Sequence, residues 1–359
     1  MGAGAHDAGF GRTAVVAGRD ARPTVAAGGR SDEATCYPGE VSFLATRTPR
    51  ILVVGSANMD LVVKAPRLPR TGESLLGSDF QMVRGGKGAN QAVACARLGA
   101  ETWMLGRVGT DAFGDNLRQG LSGNGVNTSC VQRDPEAPSG IAIIIIDADG
   151  DNSIVVAPGA NMRGQAEDLR SIPDLSSFDA VLMQLEVPLE LIAATIGAAR
   201  AAGVRTILDA GPPRGLPAEL VQQVDVLSPN ETEAAAILGG DTSGMSPGEV
   251  AKALRDRGAQ TVVLKLGERG ALALGAEEGQ PAPAMVPGFR VEVVDTTGAG
   301  DAFTAGLAVS LSGGHSLQDS TRYGCACGAL AATVMGAQPS MPTQTAVEAF
   351  LAEREGSPG

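Results

Sequence analysis

The amino-acid sequence predicts an α/β fold in which a mostly parallel β-sheet carries helices on both faces. From Ile51 onward, short apolar runs alternate with amphipathic segments at intervals that suit repeated βα units. Several of these runs are continuous stretches of β-branched residues, which is typical of parallel strands buried on both faces. The length of 359 residues is sufficient for one large unit of this kind.

The predicted strands and helices alternate along the chain. Apolar runs predict strands at residues 51–55, 141–147, 180–185, 204–208, 224–227, 261–266 and 291–294. The segments between them predict helices at residues 88–98, 112–122, 189–202, 231–238, 249–257, 302–311 and 317–335. Because strands joined by helical crossovers run parallel, this order predicts a layer of helices on each side of the sheet.

Two segments depart from this alternation and predict a small accessory sheet. Residues 61–84 have the pattern of strand, turn and strand, and residues 140–156 have that of a hairpin around Asp149-Gly150-Asp151. Ligands of open α/β proteins bind outside the carboxyl ends of the strands. A small sheet at that edge is therefore expected to act as a lid over a binding site.

The composition excludes several classes of function. A net charge of −12 weighs against a protein that coats nucleic acid or binds an anionic membrane surface. The two histidines, His6 and His315, and the five scattered cysteines lack the spacing of a zinc site or a disulfide framework. We therefore expect a reducing compartment and, in an enzyme, a carboxylate as general base. Neither a P-loop nor a dinucleotide-binding fingerprint is present.

Residues 1–49 are rich in Ala, Gly and Arg and include five acidic residues. No apolar core follows a basic start, as a secretory signal would require. The composition predicts a disordered or processed extension, while import into an organelle remains an alternative. The longest uncharged stretch is broken by Pro339 and Pro342, so no membrane span is expected. The sequence thus predicts a cytoplasmic protein whose functional domain spans residues 50–355.

The segment VEVVDTTGAGDAFTAGLAVSL, residues 291–311, carries the clearest indication of chemistry. A predicted strand is followed by a glycine-rich turn and by an apolar helix that starts at or next to Asp301. The N–H groups of a first helical turn converge on one point, which suits a phosphoryl group in transfer. Asp301 is placed to accept a proton from an attacking hydroxyl at that point. A plain helix N-cap is the alternative interpretation of this aspartate.

A second glycine-rich loop, residues 85–90 with the sequence GGKGAN, opens the predicted helix 88–98. By itself the loop is also compatible with a plain helix entry. Asn58 and Asp60 follow the first predicted strand and share a face at period-two spacing. They offer the donors and the bidentate acceptor that vicinal hydroxyls need. Together with Lys87 and Asn90 they predict a site for a polyol.

Six motifs together resemble one family. The runs GSANMD, GGKGAN, MQLEVP, SPNETE, DTTGAGDAF and GAQPSMP occur in the order and approximate spacing of the ribokinase branch of the PfkB-type carbohydrate kinases, over residues 50–351. The resemblance implies a three-layer αβα sandwich with lid segments at about residues 58–84 and 139–158, and a homodimer joined through the lid. It also implies ATP-dependent phosphorylation of D-ribose at O5, with Mg²⁺ and K⁺ as cofactors.

Two other functions remain open at this stage. A sibling kinase of the same family would act on 2-deoxyribose, fructose, a keto-deoxy sugar acid or a nucleoside. A non-catalytic sensor of sugar or nucleotide could use the same fold. The intact residues Asp301, Asn230 and Glu233 weigh against the sensor.

The resemblance implies roles for individual residues. Asp301 matches the catalytic base. The sugar-binding positions correspond to Asn58, Met59, Asp60, Gly86, Lys87, Gly88, Ala89, Asn90, Glu186 and Asp301. The ATP-binding positions, including the anion hole from Gly298 onward, correspond to Asn230, Lys265, Leu266, Gly267, Glu268, Arg269, Gly270, Gly298, Ala299, Gly300, Asp301 and Cys325. The metal positions correspond to Glu233 for Mg²⁺ through water and to Asp295, Thr297, Ala331, Val334, Gly336 and Ser340 for K⁺.

The chain departs from the family pattern at two nucleotide positions. Lys265 stands where threonine is usual, so a hydroxyl contact is replaced by a lysine that could reach phosphate. Cys325 stands where histidine or asparagine is frequent, which preserves adenine packing but weakens a hydrogen bond. Asn230 and Glu233 are also compatible with an ordinary acidic first helical turn. Asp209, at the end of a predicted strand, is a further candidate for ordering Mg²⁺-bound water.

Overall fold

The structure is a computed structural model that describes residues 47–275 and 282–355. The predicted extension at residues 1–49 lies outside this range, apart from its last three residues. In chain order the described strands are β1 (Arg50–Val54), β2 (Asn58–Lys64), β3 (Asp79–Gly85), β4 (Glu101–Gly109), β5 (Val131–Asp134), β6 (Gly140–Ile146), β7 (Asn152–Ala157), β8 (Ala180–Met183), β9 (Arg205–Asp209), β10 (Val226–Ser228), β11 (Thr261–Lys265), β12 (Ala271–Leu274) and β13 (Ala284–Val286).

The larger of two sheets forms the middle layer. Within the described residues it has nine strands in the order β13-β12-β11-β10-β9-β8-β1-β4-β5. The strands from β11 to β5 are parallel, whereas β12 and β13 pair antiparallel at one edge. The sheet is therefore mostly parallel, as the sequence predicts.

Helices cover both faces of this sheet. They are α1 (Lys87–Arg97), α2 (Ala112–Gly123), α3 (Leu189–Ala201), α4 (Ala218–Val221), α5 (Glu231–Leu238), α6 (Pro247–Asp256), α7 (Ala299–Ser312), α8 (Leu317–Ala331), α9 (Ala337–Ser340) and α10 (Gln344–Glu355). Along β1, Ile51 and Val53 pack into the core that contains α1, α7 and α8, whereas Leu52 and Val54 pack into the core that contains α3, α5 and α6. Such alternation produces the predicted αβα sandwich. Among the described residues, no helix combines the length and apolar character required to cross a bilayer.

The prediction of a strand at residues 291–294 is wrong. Val293 and Val294 are 60% and 52% exposed, and the Val294 N–H donates to the carbonyl of Ala332 at 2.8 Å. The segment thus runs along the end of α8, which stops at Ala331 and is shorter than the predicted helix 317–335. Strand β13 occupies the sheet edge instead.

The strands β4, β5, β12 and β13 were not among the predicted elements. Strand β4 contains Arg107 and two glycines, which interrupt the apolar pattern. A Cβ atom at Gly106 would lie 2.5 Å from the carbonyl oxygen of Gly55, which follows the neighbouring strand β1. Only glycine therefore fits at position 106 of β4. A close backbone approach of this kind is set by tertiary packing and leaves no periodic signal in the sequence.

The smaller sheet is the predicted accessory sheet, called the lid below, and has the strand order β3-β2-β6-β7. Strands β2 and β6 are parallel, and the outer pairs are antiparallel. The chain passes between sandwich and lid at four places, where β2 and β6 begin and where β3 and β7 end. The register places all four at the same end of the lid, because Asn58 lies opposite both Gly85 and Gly140, and Ile141 lies opposite Ala157.

Candidate active site

Glycine shapes the turn that precedes α7. Gly298 caps the helix with a φ of +81°, a left-handed conformation that glycine adopts without strain. A Cβ atom at Gly298 would meet Met341 Cε at 2.8 Å, whereas one at Gly300 would meet nothing within 4 Å. The first turn is therefore open beside Gly300. Asp301 follows directly and is 5% exposed.

Side chains at the start of α1 hold both carboxylate oxygens of Asp301. Asn90 Nδ2 donates to Oδ2 at 2.9 Å, and Gln91 Nε2 donates to Oδ1 at 3.0 Å. Lys87 Nζ lies 3.3 Å from Oδ1. Asp301 is thus more than a helix cap, because its side chain joins two glycine-rich segments that are far apart in the sequence.

The path of the GGKGAN loop explains how α1 reaches this position. Gly86 adopts a φ of +88°, which turns the chain from the lid into the helix. A Cβ atom at Gly88 would lie 2.5 Å from the backbone nitrogen of Ser56. Glycine at this position therefore allows the first turn of α1 to pack against the segment that follows β1.

Asp209, at the end of β9, is a second carboxylate of this cluster and is fully buried. Its Oδ1 accepts a hydrogen bond from Lys265 Nζ, and its Oδ2 accepts one from Gln91 Nε2 at 2.7 Å and one from Lys87 Nζ at 3.2 Å. Burial raises the pKa of Asp209, but the Lys265 and Lys87 ammonium groups outweigh this effect and lower the pKa overall. Asp209 is therefore ionised at neutral pH.

Lys87 is the cation at the centre of the site. Burial lowers the pKa of its ammonium group, but the carboxylates of Asp209, Asp301, Glu233 and Glu186 outweigh burial and raise the pKa well above its usual value. Lys87 thus carries its charge throughout the physiological pH range.

Strand β2 of the lid carries Asn58 and Asp60, two residues of the predicted sugar site. Asn58 is 4% exposed, and its Oδ1 accepts a hydrogen bond from Asn161 Nδ2 at 2.7 Å. The Asn161 side chain also bonds the N–H and the carbonyl of Ala57. A Cβ atom at Gly140 would lie 2.2 Å from the amides of Asn58 and Asn161, so glycine leaves room for this pair. Asn161 thus fixes both Asn58 and the entry of the chain into the lid.

Two further carboxylates face this side of the site. Glu186 Oε2 accepts hydrogen bonds from the Ser56 hydroxyl and, at 3.0 Å, from the Lys87 backbone N–H. Asp60 has no such partners among the described residues. Burial, and then the charge of Glu186, raise the pKa of Asp60 to about 7. Asp60 therefore changes charge near neutral pH unless a ligand supplies donors.

Asn230 and Glu233 form a capping box at the start of α5. Glu233 Oε2 accepts from the Asn230 N–H at 2.7 Å, and Asn230 Oδ1 accepts from the Glu233 N–H at 2.8 Å. Glu233 Oε1 accepts no hydrogen bond from the described residues. A Cβ atom at Gly211 would lie 2.6 Å from Oε1 and 2.9 Å from Lys87 Nζ, so this free oxygen is near the lysine. Glu233 therefore caps α5 through Oε2 and leaves Oε1 available to a ligand.

A cavity of about 880 Å³ lies beside the open turn of α7. Of the predicted nucleotide-binding residues, the following line it: Lys265, Gly267, Glu268, Arg269, Gly270, Ala299, Gly300 and Cys325. Leu266 is instead buried in the core at 3% exposure. Burial raises the pKa of Cys325 to about 12, so this thiol stays protonated and acts as a small apolar wall residue.

The predicted K⁺ positions surround a turn next to this cavity. Asp295 accepts hydrogen bonds from the N–H groups of Thr297 at 2.9 Å and of Gly336 at 2.8 Å. Ser340 Oγ donates to the carbonyl of Ala337 at 2.7 Å. Ala331 is buried, whereas Val334 is 43% exposed. The half-buried carboxylate of Asp295 thus joins the turn before α7 to the turn after α8.

A family model described as pfkB family carbohydrate kinase matches residues 48–344. The chain belongs to this family. The match includes both glycine-rich segments, the lid and the cavity. The family membership that the six sequence motifs predict is therefore confirmed.

Individual members of the pfkB family resemble this chain over most of its length. The ribokinase of Bacillus subtilis is 38% identical over 303 residues, which is 84% of this chain and 99% of the relative. The deoxyribokinase of Salmonella typhi is 34% identical over 308 residues, 85% of this chain and 99% of the relative. The structure of Arabidopsis thaliana ribokinase complexed with ribose and ATP superposes with a TM-score of 0.78 at 36% identity, covering 85% of this chain and 99% of that one.

Several site residues of this pfkB-family chain were not predicted from its sequence. Gln91, Gln184, Ser56 and Asn161 are neutral residues at less than 9% exposure that hold the charged groups in place. Gln184 Nε2 donates to Gln91 Oε1 and thereby orients the Gln91 amide toward the two aspartates. For Ser56, Gln91 and Gln184 the only available signal was their position inside or beside the motifs, and Asn161 lies outside all six. A buried neutral side chain has no distinctive pattern of its own.

Proposed function

We propose that the protein phosphorylates D-ribose at O5 with ATP and forms D-ribose 5-phosphate. The observation that carries this proposal is the position of Asp301. Its carboxylate lies in the open first turn of α7 and accepts a hydrogen bond from the Asn90 amide, and Ala299 and Gly300 of the same turn line the large cavity. The ribose and ATP named for the Arabidopsis structure and the names of the relatives support the choice of substrates.

In the proposed reaction Asp301 accepts the proton of the O5 hydroxyl as this oxygen attacks the γ-phosphorus of ATP. The bond from that phosphorus to the β,γ-bridging oxygen breaks, and ADP leaves. The N–H groups from Gly298 to Asp301 face the charge that develops on the transferring group. Lys87 adds a positive charge close to the base. Closure of the lid would exclude water and limit the hydrolysis of ATP.

The polar groups of the proposed sugar pocket come from two layers. Asn58 and Asp60 belong to the lid, and Asn90 and Glu186 belong to the sandwich. Because the Asn58 Oδ1 atom is occupied by Asn161, its Nδ2 is the group that remains for a sugar oxygen. Glu186 Oε1 and the Asp60 carboxylate supply acceptors for adjacent hydroxyls.

The free Oε1 atom of Glu233 suits a hydrated Mg²⁺ ion, because this cation prefers carboxylate oxygen and keeps several waters. Glu233 would hold it through water, whereas both oxygens of the buried Asp209 already accept hydrogen bonds from Lys265, Gln91 and Lys87. The ion would neutralise charge on the nucleotide phosphates. We also propose K⁺ as the monovalent activator near Asp295, since Asp295 is the one charged side chain of that predicted set. Replacing K⁺ by Na⁺ at constant ionic strength is expected to lower turnover.

The test is a coupled ATPase assay on a panel of sugars, with the product identified by phosphorus and carbon NMR. Ribose is expected to give the highest kcat/KM and to yield the 5-phosphate. A preference for 2-deoxyribose, fructose, a keto-deoxy sugar acid or a nucleoside would assign the chain to a sibling activity of the family. Calorimetric binding of ribose with no product in the presence of ATP, Mg²⁺ and K⁺ would identify a sensor.

The raised pKa of Asp60 predicts that ribose binding depends on pH. Because ionised Asp60 is the better acceptor, KM for ribose is expected to be about tenfold higher at pH 6 than at pH 8. The stability of the ligand-free protein has the opposite pH dependence. Burial favours protonated Asp60, so the stability that this group contributes is present below pH 3.8 and is lost as the pH rises to about 7. Steady-state kinetics across pH measures the effect, and Asp60→Asn is the control that should bind weakly at every pH.

We further propose that two copies of the chain associate through the lid. Three exposed apolar residues lie in one row across the lid: Met82 and Ile143 flank Leu61, and Val155 lies opposite Ile143. These residues are 60%, 43% and 67% exposed, and Phe80, two residues before Met82 on β3, is also exposed. By strand alternation this apolar row lies on the opposite face from Asp60. An apolar sheet face of this kind is typical of an interface between subunits.

Met82→Asp is expected to convert the proposed dimer into a monomer. A charge in the middle of an apolar interface commonly weakens association by about 100-fold or more. Sedimentation velocity over a concentration series measures the change. Met245→Asp, at an exposed methionine outside the lid, is the matched control and should remain dimeric. A wild-type protein that sediments as a monomer at high concentration would refute the proposal.

We also propose that residues 50–355 form the kinase domain and that the protein acts in the cytoplasm. The described cysteines Cys95, Cys130, Cys325 and Cys327 are unpaired, which is compatible with a reducing compartment. A fluorescent fusion that carries residues 1–49 distinguishes this location from import into an organelle.

A further inference from the structure

The buried carboxylate of Asp209 lies between two lysines. Lys265, the last residue of β11, is 9% exposed, and its Nζ donates to Asp209 Oδ1. Lys87 Nζ lies 3.2 Å from Asp209 Oδ2 and 3.3 Å from Asp301 Oδ1. Lys87 is therefore shared between two aspartates, and Lys265 occupies only one of them.

Whether Lys87 can pair with both Asp209 and Asp301 depends on Lys265, because Lys265 supplies a second positive charge to Asp209. A buried carboxylate requires a compensating charge, because its desolvation is costly. With Lys265 present, Asp209 has a counter-ion of its own, and Lys87 can also pair with Asp301. Without Lys265, Lys87 would be the only cation near Asp209 among the described residues, and the stronger attraction would draw it away from Asp301.

We propose that Lys265 is a positioning residue that neutralises Asp209 and thereby holds Lys87 beside the general base Asp301. The proposal rests on the function proposed above and adds a specific interaction to it. Lys265 acts through Asp209 and Lys87 and needs no contact with the sugar.

A direct phosphate contact is the other role that Lys265 could have, because its side chain also lines the cavity. Its Nζ, however, is directed at Asp209, with Glu233 Oε2 next at 3.8 Å. The two roles make different predictions for the pair. A phosphate contact is lost with Lys265 whatever stands at 209, whereas a neutralising role becomes unnecessary once residue 209 carries no charge.

The test is a double-mutant cycle with Lys265→Met, Asp209→Asn and both changes together. Lys265→Met is expected to lower kcat by about 10- to 100-fold with little change in KM for ribose, and adding Asp209→Asn should restore kcat at least about fivefold. The cycle is measured on the full chain with whichever sugar the wild type phosphorylates, so that a wrong sugar assignment is seen separately in the wild-type panel. Thermal melts of all four proteins accompany the kinetics.

The possible outcomes decide between the roles. If the double variant is no faster than Lys265→Met and KM for ATP rises in both, Lys265 binds phosphate and the proposal is wrong. If the double variant regains thermal stability but not kcat, the pair is structural only, and the proposal is likewise refuted. Arg133→Met with Asp115→Asn, at an exposed pair with an N···O distance of 2.8 Å, is the control cycle and should show no coupling in kcat.

Discussion

Asp301→Asn is expected to lower kcat by about 10²- to 10⁴-fold, the range usually contributed by a general base. Asparagine keeps the shape of the side chain and an oxygen that accepts from Asn90 or Gln91, but it cannot take the proton of the sugar hydroxyl. Ribose binding should therefore persist. Single-turnover kinetics and calorimetry of ribose binding separate the two effects.

The matched control is Asp319→Asn, which removes a carboxylate from the first turn of the neighbouring helix α8. This variant should turn over at nearly the wild-type rate, since Asp319 caps its own helix through Ser316. An Asp301→Asn enzyme within about tenfold of wild type would mean that another group accepts the proton, because the loss would then fall below the range expected for a base.

Lys87→Met is expected to lower kcat by about 10²- to 10³-fold, the loss typical of removing one donor that meets developing charge. It also leaves the carboxylates of Asp209 and Asp301 without their shared cation. Because the pKa of Lys87 is raised, its charge and the stability that it contributes persist below its unfolded pKa of 10.5 and disappear only above it. The loss in kcat should thus be the same at pH 6 and pH 9.

Stopped-flow measurement of the chemical step, together with thermal melts, tests this variant. Lys252→Met, which removes an exposed lysine on α6, is the control for loss of one positive charge. A Lys87→Met protein that melts normally and phosphorylates at the wild-type rate would refute the role of Lys87 in transfer.

Much of the fold could be predicted from apolar periodicity, because buried parallel strands and their helices leave strong local patterns. Strand β8 is apolar throughout and β1 is apolar after Arg50, and both were placed to within a few residues. Strand β4 was missed because glycine and arginine interrupt it, and residues 291–294 were wrongly predicted because two exposed valines mimic a strand. Both errors arise where packing, rather than local propensity, decides the structure.

The candidate site could be predicted only in its charged and glycine-rich parts. Asp301, Lys87 and Asn90 lie in motifs that have a chemical rationale, and the structure brings Lys87 and Asn90 each within hydrogen-bonding distance of Asp301. The ion pair between Lys265 and Asp209 could not be foreseen, because these residues are far apart in the sequence and meet only through the strand order β9-β10-β11. Contacts across a sheet depend on topology, which a single sequence specifies only indirectly.

The position of the four chain crossings at one end of the lid is expected to affect how the product leaves. We expect the lid to swing about that line, so that a sugar held by Asn58 and Asp60 on one side and by Asn90 on the other would bridge two moving parts. Phosphorylation gives the sugar two negative charges in a pocket where carboxylates outnumber lysines. We expect repulsion between the new ester and these carboxylates to push the layers apart, so that the chemical step itself would promote departure of the product.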